Sequence, residues 1–177
     1  MLGITPFGMV HTVISLVAVA AGVVALVRYG EINSRITSGR IYLIMTILTC
    51  LTGFFIFQHG GFGKPHALGI LTLLVMAIAF SAERGNWFGR LSAYVSVVGY
   101  SMTLFFHMIP AITETATRVP PPHPLAAGPE PQVVQASVGL AFLVLLIIAA
   151  LQVRRVLLAR RMPPAASRGP INKPAAR

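Results

Sequence analysis

The sequence has little charge, and very little negative charge. Only four of its 177 residues are acidic and charged residues make up 10%, whereas hydrophobic residues make up 55% and the mean hydropathy is +0.78. A small soluble domain of this composition would expose a largely apolar surface. The composition therefore excludes an ordinary soluble domain and indicates an integral membrane protein.

Cysteine is almost absent as well, which excludes an internal disulfide. The single cysteine, Cys50, lies among threonines in an apolar stretch, and we interpret it as a packing residue. No nucleotide-binding loop, nucleophile elbow or zinc-protease helix motif occurs. The glutamates fall at or beyond the ends of the apolar stretches, whereas coupled transporters usually carry a carboxylate inside the membrane. We therefore predict neither an enzyme nor a coupled transporter.

Apolar stretches, in contrast, occupy most of the chain. Five of them are about long enough to cross a hydrocarbon core of roughly 30 Å. The predicted spans are 5–27, 40–58, 65–81, 88–112 and 133–153. Short loops join the first four. The predicted fold is therefore all-α and membrane-embedded: a four-helix transmembrane bundle in 1–113 and a fifth, peripheral transmembrane helix in 133–156.

Positive charge is distributed unevenly between the two sides that these spans define. Of the lysines and arginines, only Lys64 and Arg118 fall on one side, and the other twelve fall on the opposite side. The positive-inside rule then places the N-terminus outside the cell and the C-terminus in the cytoplasm. We expect the membrane to be the bacterial plasma membrane. We expect the basic segment 157–177 to be a disordered cytoplasmic tail that contacts the lipid bilayer and not nucleic acid.

Proline is concentrated between the fourth and fifth predicted spans. The segment 114–132 contains Val-Pro-Pro-Pro-His-Pro from Val119 and Gly-Pro-Glu-Pro from Gly128. Proline at this density removes the backbone donors that helices and sheets need. We predict an extended external strap, in which His123 is solvated.

Histidines recur near one end of four spans. His11 lies early in the first span, His59 ends the second, His66 opens the third and His107 lies near the end of the fourth. All four belong to the outer half of the predicted bundle. Because an imidazole is costly to hold in a bilayer unless it is hydrogen-bonded or coordinated, we treat them as candidate site residues.

Helical spacing favours the deeper pair, His11 and His107, which lie on the order of 10 Å inside their helix ends. In the fourth span, Tyr100, Thr103 and His107 continue a polar stripe that begins at Ser96. Residues spaced three and four apart share one helix face, so this face is predicted to point into the bundle. Tyr100 and Thr103 would then orient a cofactor or bond to it.

Three interpretations of these histidines stay open. In the first, His11 and His107, or one of them with His59 or His66, supply two axial ligands to one b-type haem for electron transfer. In the second, several imidazoles bind zinc or copper at the outer face. In the third, the histidines bond across helices in a cofactor-free structural or scaffold subunit of a larger membrane complex.

Two short motifs carry a family resemblance over roughly residues 6–110. Ser38-Gly-Arg-Ile-Tyr42 opens the second span, and His66 opens a span that contains Thr72-Leu73. With the early histidine of the first span, this pattern resembles a family of bacterial predicted membrane proteins of unknown function with a four-helix core. The architecture also resembles b-type membrane cytochromes. Those proteins often place paired histidines in both leaflets. This chain has none in the inner half of its predicted spans, so it would hold at most one haem.

Overall fold

The protein is built from helices. The computed structural model describes residues 5–56, 61–118 and 132–161, and no strand occurs within these ranges. A short 3₁₀ turn, Gly89–Leu91, precedes the fourth helix. The five helices are α1 (Pro6–Tyr29), α2 (Thr37–Gly53), α3 (Lys64–Gly85), α4 (Ser92–Arg118) and α5 (Gln132–Arg161).

Local sequence explains where α1 begins and ends. The Thr5 hydroxyl accepts a hydrogen bond from the Gly8 N–H at 3.1 Å, and Pro6 occupies a first-turn position where no backbone donor is needed. At the other end Gly30 adopts φ +75°, and its N–H donates to the Leu26 carbonyl at 2.8 Å. This left-handed conformation favours glycine and stops the helix.

Four of the helical segments are long and apolar enough to cross a membrane. They are Pro6–Tyr29, Lys64–Gly85, Gly89–Arg118 and Gln132–Arg161. The all-helical prediction is thus confirmed for the described residues, and four of their helical segments are candidate membrane spans. The second predicted span, 40–58, is represented by α2, which has only 17 residues.

The boundaries of three predicted segments differ from the structure: the second span, the strap and the tail. The first residues of the predicted disordered tail, 157–161, are helical because α5 continues to Arg161. After Gly53 the backbone tightens, since Phe55 N–H donates to the Thr52 carbonyl at 3.2 Å, and this ends α2 early. The predicted strap is helical at its start, because α4 continues to Arg118, which pairs with Glu114 one turn earlier. The rest of the strap, 119–131, lies outside the described residues, as do His59 and most of the predicted tail.

Small residues allow the helices to pack closely. A side-chain carbon added at Gly22 of α1 would lie 2.9 Å from the Tyr42 ring of α2, and one at Gly99 of α4 would lie 2.9 Å from Cβ of Ala79 in α3. Such small-residue contacts are typical of membrane helix packing. The buried core consists of Ala18, Ala25, Ile32, Tyr42, Leu43, Met76, Ala79, Tyr100 and Leu104. α5 packs mainly on α4.

The two ends of the bundle have different compositions. Hydrogen bonds join the α1–α2 loop to the last turn of α3, and α5 to the end of α1. These segments form the arginine end, which carries nine exposed arginines: Arg28, Arg35, Arg40, Arg84, Arg90, Arg154, Arg155, Arg160 and Arg161. The opposite end, which we call the histidine end, contains His11, His66 and His107.

Candidate functional site

His11 is held by α2. Its Nδ1 lies 2.9 Å from the Thr52 hydroxyl, and its ring packs beside Gly53, where an added side-chain carbon would lie 3.3 Å from Cε1. The Thr52 hydroxyl donates its own proton to the Leu48 carbonyl at 2.8 Å. It therefore accepts from the imidazole, so in a neutral ring Nδ1 carries the hydrogen and Nε2 keeps its lone pair.

His107 is held by the same helix at a different level. Its Nε2 lies 3.0 Å from the hydroxyl of Thr46, and both residues are buried. Both imidazoles therefore face α2 at the histidine end. However, Thr46 and Thr52 are six residues apart, or about 9 Å along the helix axis. The structure thus brings the two rings into one region but attaches each to its own hydroxyl.

His66 has a different role at the start of α3. Its Nδ1 accepts a hydrogen bond from the Gly63 N–H at 3.2 Å, and its ring lies against Phe62 with centroids 5.2 Å apart. Groups that satisfy the free N–H groups of a first turn stabilise a helix start. The side chain of His66 is therefore a helix cap in the structure.

The polar stripe of α4 points into the bundle as predicted. Ser96, Tyr100, Thr103 and His107 are all buried. Thr103 accepts from the Tyr42 hydroxyl at 2.7 Å, because its own proton goes to the Tyr100 carbonyl. Tyr100 and Thr103 thus bond to residues other than the imidazoles. Their predicted role beside a cofactor stays a prediction.

Glu83 forms the most connected polar group of the described chain, and the sequence reasoning missed it. Its carboxylate accepts from the Ser34 N–H at 3.0 Å, from the Ser34 hydroxyl at 2.8 Å and from the Tyr100 hydroxyl at 2.8 Å. Arg84 Nε in turn donates to the Ser34 hydroxyl at 3.2 Å. One carboxylate therefore joins the α1–α2 loop, α3 and α4.

Gln152 is a second missed residue and anchors α5. Its Oε1 accepts from the Ser101 hydroxyl of α4 at 3.0 Å, and its Nε2 donates to the Gly30 carbonyl at the end of α1 at 3.2 Å. It is buried at 3% exposure. The amide that follows the long apolar run 138–151 was the signal, since polar groups inside a membrane usually bond to a neighbouring helix.

The positions of the histidines give limited support to the predicted zinc or copper site. Across 5–56, 61–118 and 132–161, no group of three or more histidine, cysteine or acidic side chains could hold a metal ion. Two nitrogens that bind one ion lie within about 4 Å of each other. The imidazoles of His11 and His107 are instead each directed to a threonine. His59, the remaining predicted ligand, lies outside the described residues.

Comparison with known proteins adds no assignment. The chain matches no protein-family model, no curated protein and no solved structure. The family resemblance drawn from the sequence therefore stays a prediction, and function has to be argued from the site itself.

Proposed function

We propose that this chain is a multi-pass protein of the bacterial plasma membrane that crosses it five times, with its N-terminus outside and its C-terminus in the cytoplasm. The unequal ends support this orientation, because nine exposed arginines lie at one end and Lys64 and Arg118 at the other. α2 would be the additional crossing. Its 17 residues extend about 25 Å, close to the thickness of a thin bilayer core.

Within this frame we propose a cofactor-free accessory subunit that acts as a scaffold in a larger membrane complex. The observation that carries this proposal is the pairing of both deep histidines with α2, His11 with Thr52 and His107 with Thr46. Hydrogen bonds between polar side chains of neighbouring helices contribute to helix association in membrane proteins. The histidines then hold α1 and α4 on α2 and carry out no chemistry.

One observation favours a second candidate, a haem b or metal ion for electron transfer. The bond from His11 Nδ1 to Thr52 leaves Nε2 with its lone pair. Metal-binding histidines commonly use one ring nitrogen as ligand and donate the other N–H to a neighbouring acceptor. His11 would be the first ligand, with His107, His59 or His66 as the second.

The absorption spectrum and metal content of the purified full chain distinguish the two candidates. For the scaffold we expect no Soret band and far less than one iron, zinc or copper per chain. We also expect His107→Gln, which keeps a hydrogen-bonding group, to unfold at a higher temperature than His107→Ala. A Soret band, or one metal per chain, that is lost in His11→Ala but kept in Glu114→Ala would overturn the scaffold proposal in favour of the second candidate.

A further inference from the structure

The nine arginines of the arginine end have few internal counter-charges. The carboxylates at that end are Glu31 and Glu83, and both are engaged by other groups: Asn33 Nδ2 donates to Glu31 at 2.7 Å, and Glu83 accepts from Ser34 and Tyr100. The one ion pair within the described residues joins Glu114 and Arg118 at the opposite end. Two carboxylates against nine arginines leave the arginine end with a large excess of positive charge, which favours binding of anions from outside the chain.

Arg28 and Arg155 both lie near the point where α5 bonds to the end of α1, which we call the α1–α5 junction. Arg155 of α5 donates from Nη1 to the Tyr29 carbonyl at 3.3 Å, and its guanidinium lies directly over Gly30. Arg28 lies one residue before Tyr29 in the last turn of α1 and is exposed. Arg154, also exposed, is the neighbour of Arg155. Positive charge from two helices is thus concentrated at one junction.

The depth of this junction matches the headgroup region of a bilayer. It lies at the ends of two candidate spans, Pro6–Tyr29 and Gln132–Arg161. The Tyr29 side chain is 52% exposed beside it, and tyrosine at a span end is typical of the membrane interface. A guanidinium presents parallel N–H donors that match the oxygens of a phosphate.

We propose that the α1–α5 junction binds the phosphate of an anionic phospholipid through Arg28 and Arg155, and that the bound lipid holds α5 against α1. Among the described residues, α5 is joined to the end of α1 by bonds from Gln152 and Arg155 to backbone carbonyls. A phosphate that accepts from one arginine on each helix adds a second connection. The inference goes beyond the proposed scaffold function and does not depend on it.

The single tryptophan provides a direct assay. Trp87 is 80% exposed in the α3–α4 connection at the arginine end, so energy transfer from it to a dansyl-labelled lipid reports binding at that end. The full-length chain in detergent is titrated with dansyl-phosphatidylglycerol and with dansyl-phosphatidylcholine. We expect the anionic lipid to bind at least about tenfold more tightly.

Paired substitutions test the location of the site. Arg28→Gln with Arg155→Gln should weaken binding of the anionic lipid about tenfold or more and leave the zwitterionic lipid unchanged. Arg35→Gln with Arg40→Gln removes the same charge from the same end and should weaken it less than threefold. If the double variant does not fold, Arg28→Gln alone is measured in its place, because Arg28 is exposed and has no bond to the described chain. It should also weaken binding of the anionic lipid.

Two results would overturn the proposal. The first is equal affinity of the wild-type chain for the two lipids. The second is an equal loss of affinity in the two double variants, because it would mean that general charge attracts the lipid and not the junction.

Thermal unfolding in nanodiscs adds a readout for α5: phosphatidylglycerol should raise the midpoint of the wild-type chain and not that of the Arg28/Arg155 variant. Neither assay depends on haem or metal content, so failure here is distinct from failure of the scaffold proposal.

Discussion

The two ends of the bundle hold their buried polar groups in different ways. At the arginine end, Glu83 accepts from a loop and from α4, and Gln152 bonds to both α1 and α4. At the histidine end, each deep imidazole has one bond to one threonine of α2. The arginine end is therefore cross-linked through shared groups and the histidine end through separate pairs.

This difference predicts how strongly each end responds to the loss of one polar side chain. A shared carboxylate with all its oxygens occupied has no capacity left for a ligand, and its loss would leave several donors without a partner. A separate His–Thr pair leaves one ring nitrogen unused by that bond, and its loss affects two helices only. The comparison predicts large effects of substitution at the arginine end and small ones at the histidine end.

Glu83→Ala should have the largest effect. The substitution leaves the buried Tyr100 hydroxyl and the Ser34 N–H and hydroxyl without their acceptor. Leaving a buried donor without its acceptor typically costs about 1 to 3 kcal/mol. We expect a loss of this order in the free energy of unfolding, measured by denaturant titration of the chain in mixed micelles. Glu83→Gln keeps one acceptor oxygen and should lose less.

The matched control is Glu114→Ala at the histidine end. Glu114 is 57% exposed and pairs with Arg118 one turn away. Surface pairs of this kind contribute about 0 to 1 kcal/mol. If Glu83→Ala is no more destabilising than Glu114→Ala, then Glu83 does not cross-link the bundle and the contrast between the two ends disappears.

Periodicity explains why part of this arrangement was predictable. The α4 stripe of Ser96, Tyr100, Thr103 and His107 follows helical spacing, and a polar stripe in an apolar helix has only the bundle interior as a favourable environment. The helical membrane fold follows from composition and run length for similar reasons. Both are local properties of the sequence.

The partners of these side chains were not predictable, because they depend on how helices rotate against each other. Thr46, Thr49 and Thr52 all lie in α2, and it is Thr52 that bonds His11, because α1 packs beside it. Glu83 falls at a span end, where a carboxylate is usually solvated, and only the return of the α1–α2 loop brings Ser34 onto it. Contacts between residues 49 positions apart have no signature in a single sequence.

Loss of the Gln152 side chain, which anchors α5, should lower the free energy of unfolding by an intermediate amount. Gln152→Leu removes the acceptor of the Ser101 hydroxyl and the donor to the Gly30 carbonyl. Because interhelical hydrogen bonds in membranes contribute about 0.6 kcal/mol on average and up to about 1.7, we expect a loss of about 1 to 2 kcal/mol for the two bonds together. A double-mutant cycle with Ser101→Ala isolates one of them. A coupling energy near zero would contradict an anchoring role for Gln152.

The smallest effect is expected for Thr52→Val, which keeps the shape of the side chain and removes the acceptor of His11 Nδ1. His11 is only half-buried near a helix end, so water can replace the threonine, and we expect a loss of about 0.5 kcal/mol in the same unfolding measurement. Thr46→Val, beside the buried His107, should lose more because water has less access there. The order Glu83→Ala, then Gln152→Leu, then Thr52→Val follows from the number of bonds that each group makes and from its access to water. If Thr52→Val lowers the free energy of unfolding as much as Glu83→Ala does, then the histidine end is cross-linked as tightly as the arginine end. The two histidine–threonine bonds would then not be independent of each other.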